Sequence, residues 1–297
     1  MAVQVTLRDR KSRFIRKLSS TPPTTTVCPN FYLLAHAAGC LFEPQCSYCY
    51  LKSTFGYLDG QEAFTNYDEM QREIRNWIAR DDLDSYMLNA GTMSDSFSFE
   101  AVRPVVGLLV ETFREAAQGR PHTLLFVTKG GHEACRALYE LAPCPNVIVS
   151  FSVNNELAAQ RLESGAATVA DRLQTARELK ELGWRLRMRI DPMIKGYDYT
   201  EVAAQVRDLA PERVTLGSLR ADPDLLRYVR DGTFEDLSAP REVKRMARYP
   251  LEERLALYRQ AMAVLGDVCP VALCEEGEDA WDALGLDKVA KLCNCCL

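Results

Sequence analysis

Trp184-Arg185-Leu186-Arg187-Met188-Arg189-Ile190-Asp191 places apolar and charged residues at alternate positions. A period of two is a strand, with Leu186, Met188 and Ile190 on one face and Arg185, Arg187, Arg189 and Asp191 on the other. Just before it, Thr168 to Leu182 carries Val169, Leu173, Ala176 and Leu179 at helical spacing, and Gly183 follows as a stop. The unit recurs. Short apolar runs lie at 31–38, 84–90, 123–128, 146–152, 184–191 and 213–218, and helix-like stretches at 66–80, 98–117, 131–141, 156–182 and 200–209. Strand then helix, repeated about six times, reads as parallel βα units. Right-handed crossovers roll such units into a full or partial barrel with its loops at the strand carboxyl ends. On an exposed edge strand the charged face would simply meet solvent, whereas inside the array both faces are covered and it has to line a polar cavity. Arg189 and Asp191, nearest the carboxyl end, are placed there. Ser150 and Ser152 likewise share one face near the end of the run at 146–152.

The flanks differ from this core. Residues 8–17 hold Arg8, Arg10, Lys11, Arg13, Arg16 and Lys17 against Asp9, and 19–30 show no period. Residues 1–27 therefore read as a basic, solvated amino-terminal arm and leader, 28–221 as the barrel, and 222–297 as a helical carboxyl-terminal extension with a cysteine-rich tail. Leu251 to Leu265 is its clearest helix. The 297 residues are 47% hydrophobic and 26% charged, ordinary for a soluble globular protein, and the net charge of 36 − 41 = −5 argues against a broad nucleic-acid surface. No apolar stretch approaches the roughly 20 residues of a membrane span, and no signal-peptide pattern follows Met1. The expectation is a cytoplasmic protein without a membrane partner. In that reducing compartment the 11 cysteines read as ligands or buried thiols.

Cys28, Cys135 and Cys144 stand apart and read as small buried hydrophobes; the others cluster. At the front stands Gly39-Cys40-Leu41-Phe42-Glu43-Pro44-Gln45-Cys46-Ser47-Tyr48-Cys49-Tyr50. Three thiolates on one loop can hold three irons of a cubane and leave the fourth open for chemistry. Structural zinc wants four ligands, and a second cysteine pair is not nearby; His36, inside an apolar run, reads as packed. At the back lie Cys269, Cys274, Cys293, Cys295 and Cys296. Three readings compete there: an auxiliary iron–sulfur cluster on Cys274, Cys293 and Cys295, a zinc site, or free and redox-active thiols.

The front loop resembles the cluster loop of radical S-adenosylmethionine enzymes, and its Tyr48-Cys49-Tyr50-Leu51 ending resembles the spore photoproduct lyase branch. Four later stretches are similar to that branch, in order: Gly91-Thr92-Met93-Ser94-Asp95-Ser96, Phe126-Val127-Thr128-Lys129, Val147 to Asn154, and Arg189-Ile190-Asp191-Pro192-Met193-Ile194. The resemblance implies an α/β fold, a partial (β/α)6 TIM-like barrel of the radical S-adenosylmethionine type. It implies a 4Fe-4S cluster on Cys40, Cys46 and Cys49, with S-adenosylmethionine on the open iron, cleaved to a 5′-deoxyadenosyl radical that abstracts hydrogen from substrate. It implies Tyr48 at the adenine, Ser94, Lys129 and Ser152 at the methionine and ribose, with Ser150 beside them, and an external electron donor such as flavodoxin or ferredoxin. Tyr50, Arg189 and Cys296 are the catalytic candidates.

Two departures stand out. The loop is C-x5-C-x2-C rather than C-x3-C-x2-C, so Leu41 to Gln45 must bulge, stiffened by Pro44. Thr92 stands where the lyase has a hydrogen-donor cysteine, and a tail thiol, Cys296, is the candidate replacement. The expected substrate is a small, nucleoside- or nucleotide-like molecule whose anionic groups meet Arg187, Arg189, Lys195 or Arg220. Repair of a nucleic-acid lesion, or a non-catalytic metal-binding or redox-sensing protein, are the rivals.

Overall fold

Alternation in the strands decides which side chains face the helices and which face inward. The structure, a computed structural model, describes residues 4–18, 26–27, 31–58, 60–238, 246–290 and 292–296; Cys28 lies outside them. Eight strands form the main sheet: β1 Ile15–Leu18, β2 Phe31–Leu34, β3 Met87–Asn89, β4 Thr123–Thr128, β5 Val147–Val153, β6 Arg185–Met193, β7 Val214–Ser218 and β8 Val271–Leu273. Their order across the sheet is their order in the chain. The β1–β2 pair is antiparallel and every other pair is parallel. The sheet runs from β1 to β8 without closing, which makes a partial barrel.

All six apolar runs read from the sequence become strands. Two further strands come from segments read otherwise. β1 belongs to the basic arm, where Phe14 is fully buried and Ile15 packs on the core, so the arm is anchored here rather than solvated. β8 lies in the extension read as helical; three apolar residues, Val271-Ala272-Leu273, are too short to show a period. The sheet thus reaches beyond 28–221 on both sides.

Outward-facing Leu124, Phe126, Val147, Val149, Phe151, Leu186, Met188 and Ile190 join the large core beneath the helices. The covering helices are Tyr67–Ile78, Val106–Ala116, Val169–Glu181, Thr200–Asp208 and Leu251–Leu265, the last with the bounds read from the sequence. The stretch at 156–182 splits into Glu156–Leu162 and Val169–Glu181, and each piece has its own cap. Asn155 accepts from the backbone of Leu157 and Ala158, and Thr168 from that of Asp171. At the break a Cβ on Gly165 would lie 2.3 Å from the Pro44 carbonyl oxygen, so the bulged cysteine loop rests there. Among the described residues no helix is long and apolar enough to cross a membrane.

A second sheet buttresses the front loop. Val5–Arg8 pairs in parallel with Gln61–Phe64, which pairs antiparallel with Ala37–Ala38, immediately before Gly39-Cys40. Arg8 meets Glu62 across this sheet at 2.6 Å. Gly39 has φ +103°, and a Cβ there would lie 1.4 Å from Gln61 Oε1, the acceptor for the Cys40 backbone N–H at 3.1 Å. Gly39→Ala is expected to cost about 1–3 kcal/mol of stability, read as a lower urea midpoint with an unchanged slope.

Candidate active site

The cysteine loop is pinned at both ends. Gly39 N–H donates to the Met93 carbonyl at 3.0 Å, Ser47 N–H to the Leu162 carbonyl at 2.8 Å, and Cys49 N–H to the Cys46 carbonyl at 3.0 Å. Cys40, Cys46 and Cys49 carry free thiols, Cys40 buried and the other two partly so. Burial pushes all three thiols up, Cys46 to about 12, and Cys40 is further opposed by Asp95 and by the other two cysteines. Thiolates so placed need positive charge supplied from within the loop, which bound iron provides. Among the described residues no three His, Cys, Asp or Glu side chains converge on a single ion. Three thiols on one loop are the ligand set of a cubane with one open iron.

Beneath the loop lies a buried polar network that holds Tyr48. Its hydroxyl donates to Glu163 Oε1, which also accepts from Asn154 Nδ2 at 3.0 Å. Arg172 Nη1 meets Glu163 Oε2 at 2.5 Å, both side chains being essentially inaccessible. Burial would raise the Glu163 carboxyl, but Lys129, Arg172, Tyr48 and Asn154 together hold it below its ordinary range. Lys129 closes the arrangement, with Nζ 5.7 Å from the centre of the Tyr48 ring. Its backbone N–H donates to Asp95 Oδ2 at 2.7 Å, and Asp95 Oδ1 accepts from Thr128 Oγ1 at 2.9 Å. Tyr48, Lys129, Cys46 and Cys49 thus share one neighbourhood, within electrostatic reach of one another.

The remaining candidates separate. Ser94 Oγ is 3.0 Å from His36 Nε2, and the imidazole is fully buried, pushed down to about 4 by burial and Arg103. Neutral and packed, His36 fits its reading as a core residue. Ser152 is buried, with its carbonyl accepting from Arg172 at 3.1 Å. Ser150 Oγ donates to Asn294 Oδ1 at 2.8 Å, so it meets the tail. Tyr50 is 45% exposed, and its hydroxyl donates to the Thr92 carbonyl. The charges of Arg189, Glu275 and Arg220 reach its phenol.

The charged face of β6 does line the inside, but its members do different things. Arg187, fully buried, donates to the carbonyls of Asn294 and Cys296 at 2.5 and 2.6 Å. Arg189 pairs with Asp191, and Arg220 Nη1 meets Asp191 Oδ1 at 2.9 Å. Both guanidinium groups reach Cys274 Sγ, at 3.4 Å from Arg189 and 3.2 Å from Arg220. Lys195 sits apart, 3.1 Å from Glu253 near the surface. Of the four cations offered to substrate anions, Arg189 and Arg220 stand together at Asp191, while Arg187 holds the tail and Lys195 lies with Glu253. In the tail, Cys295 packs on Met87, Leu125 and Ile148 with Asn89 Nδ2 3.7 Å from its sulfur, while the Cys293 and Cys296 sulfurs are 3.5 Å apart. Cys274, rather than Cys296, lies with Arg189.

Glu163 and Arg172, which hold the candidate ligands from behind, carry no motif in their helix-like stretch; Asp95 and Asn154, which do the same, lie inside the matched stretches without having been singled out. Sequence reading also passed over the Cys293-Asn294-Cys295-Cys296 spacing, a C-x-x-C that was there to be read. Burial would raise the Asp191 carboxyl, but Arg220 and Arg189 hold it well below the ordinary carboxylate range. A folded pKa below the unfolded one gives stabilisation that is complete above the unfolded value and lost as pH falls through it toward the folded value. Asp191→Asn is therefore expected to lower stability near pH 7 by about 3 kcal/mol. The gap from wild type should narrow below about pH 4, as followed by Tm against pH.

The spore photoproduct lyase family profile matches residues 16–216, about two thirds of the chain. A curated relative, the spore photoproduct lyase of Geobacillus sp. (strain Y412MC61), is 25% identical over 164 residues, 55% of this chain and 46% of the relative, so the match spans less than half of that protein's length. A solved spore photoproduct lyase mutant is similar with a TM-score of 0.72 at 18% identity, covering 91% of this chain and 82% of its own. Another mutant, with bound AdoMet and dinucleoside spore photoproduct, is similar with a TM-score of 0.67 at 17% identity, covering 90% and 81%. At those identities the likeness speaks for the fold, the partial barrel described above. With the family profile spanning most of the barrel, the chain belongs to the spore photoproduct lyase family of radical S-adenosylmethionine proteins.

Proposed function

We propose that this chain is a radical S-adenosylmethionine enzyme acting on a small, nucleoside- or nucleotide-like substrate, with one 4Fe-4S cluster on Cys40, Cys46 and Cys49. The observation that carries the reading is the meeting of that three-thiol loop with Lys129 and Tyr48 over the carboxyl ends of the strands. Held by Cys40, Cys46 and Cys49, the cluster would supply one-electron reductive cleavage of S-adenosylmethionine.

The chain's own residues bind and orient. Lys129, its backbone fixed by Asp95, would hold the carboxylate of S-adenosylmethionine. Tyr48, fixed by Glu163, would contact the adenine, and Ser152 lies at the end of the next strand. Ser94 and Ser150 would contribute through the groups they already bond, His36 and Asn294. Tyr50 and Arg189 reach the mouth on the β6–β8 side, where the substrate would bind with an anionic group near Arg189 and Arg220. Reduced flavodoxin or ferredoxin would supply the electron, and the cytoplasm is the compartment that suits the ten free thiols among the described residues. Residues 28–221 would form the catalytic unit, completed by β1 and β8 from the flanks 1–27 and 222–297.

Cleavage of a nucleic-acid lesion is the second reading, favoured by the family and by relatives named as spore photoproduct lyases. Thr92, whose O–H is a poor hydrogen-atom donor, speaks against an unaltered version of that reaction. A second cluster on Cys274, Cys293 and Cys295 is the competing reading of the tail. An iron count near four per chain, lost in Cys40→Ala/Cys46→Ala/Cys49→Ala, would exclude it.

Anaerobically reconstituted and reduced protein is expected to form 5′-deoxyadenosine from S-adenosylmethionine; failure to do so overturns the proposal. Conversion of dinucleoside spore photoproduct would decide for the lesion reading. Cys46→Ala should abolish 5′-deoxyadenosine formation. Lys129→Ala should raise the KM for S-adenosylmethionine about tenfold, the weight of about 1.4 kcal/mol, with kcat changed less.

A further inference from the structure

The tail enters the barrel and is held there by its backbone. Arg187 donates to the carbonyls of Asn294 and Cys296, and Arg213 Nη1 reaches those of Cys293 and Cys296 at 3.4 and 3.1 Å. Between these clamps Cys296 N–H donates to the Cys293 carbonyl at 3.2 Å, closing a turn from residue i to i+3. Such a turn brings its end Cα atoms within about 7 Å, and a disulfide spans Cα separations of about 4.4–6.8 Å. The two sulfurs already stand 3.5 Å apart. The clamps hold the turn from outside, so the sulfurs need to move and the backbone does not.

The two thiols are also unequal. Cys293 is buried, out of reach of an external disulfide. Cys296 is partly exposed, so an external disulfide meets its sulfur first. Arg187 Nη2 and Asn294 Nδ2, both buried around the same turn, have no hydrogen-bond partner among the described residues, and a thiolate gives such donors an acceptor.

We propose that Cys293 and Cys296 form a thiol–disulfide exchange site, with Cys296 as the attacking thiol and Cys293 as the resolving one. The reactant is a disulfide of glutathione type. The Cys296 thiolate attacks one sulfur of that disulfide, and the first thiol leaves. Cys293 then attacks Cys296 Sγ, forming the Cys293–Cys296 bond and releasing the second thiol. Two protein thiols are oxidised, one external disulfide is reduced to two thiols, and both protons leave with them. The reverse sequence, driven by an external thiol, restores the pair. Unlike the radical chemistry above, this site needs neither the cluster nor S-adenosylmethionine, so its failure and that of the proposed function are separable.

The test is a redox titration of the reconstituted protein in glutathione buffers of rising disulfide fraction, quenched by alkylation, with the tail peptide read by mass spectrometry. Cys293 and Cys296 should lose alkylation together with a two-electron dependence, and regain it in excess thiol. Cys295→Ser should behave as wild type. Cys293→Ser should trap glutathione on Cys296, whereas Cys296→Ser should leave Cys293 unmodified. The proposal is overturned if both thiols stay alkylatable at every ratio, if the bond forms to Cys295 or Cys274 instead, or if bound iron or zinc protects the pair.

Discussion

A guanidinium inside a barrel must be given acceptors, and here they come from the far end of the chain. Arg187 has no accessible surface, and burial with the neighbouring Arg213 lowers its pKa to about 10, which still leaves it charged at neutral pH. Taking such a cation out of water costs several kcal/mol unless strong acceptors surround it. The carbonyls of Asn294 and Cys296 meet that need, and Glu212 stands 3.7 Å from its Nε. Once Arg187 fixes the tail, the rest of the interior follows. Ser150 has Asn294 for a partner, Cys295 is set against Met87 and Leu125, and the Cys293–Cys296 turn is held between two arginines.

The same logic, stacked upward, organises the mouth. Asp191 is flanked by Arg189 and Arg220, and Glu163 by Arg172 and Lys129, so each buried carboxylate has at least two cations near it. These pairs add little net stability, since desolvation consumes most of the attraction. They do fix geometry. Tyr48 leans on Glu163 as well as on the apolar cluster around Ala158 and Ile194, and Cys274 lies against two guanidinium groups.

Much of this was legible in the residues. Alternation in 184–191 signalled an inward charged face because period two is a local property, and the six runs became strands because each was long enough to show its pattern. Cys40, Cys46 and Cys49 were legible because ligand spacing on one loop survives without knowledge of the fold. What was hidden depended on distance along the chain. Glu163 and Arg172 are nine residues apart, yet their role depends on Tyr48, 115 residues from Glu163. β1 was hidden because six basic residues mask the burial of Phe14 and Ile15. The partner that Ser150 bonds, Asn294, lies 144 residues away.

Sheet order equal to chain order has a kinetic side. Each strand of the main sheet pairs with the next one along, so the sheet zips through near-neighbour contacts, each with a modest loop to close. The tail is different: its contacts with Asn89, Ser150 and Arg187 span 206, 144 and 107 residues. Closing loops of that length is left until the strands that line the chamber exist. Its docking therefore belongs after the folding barrier, where an interaction sets how slowly the protein unfolds more than how fast it folds. Arg187 is the latch of a box already built, and its grip on the tail is felt chiefly in the lifetime of the closed state.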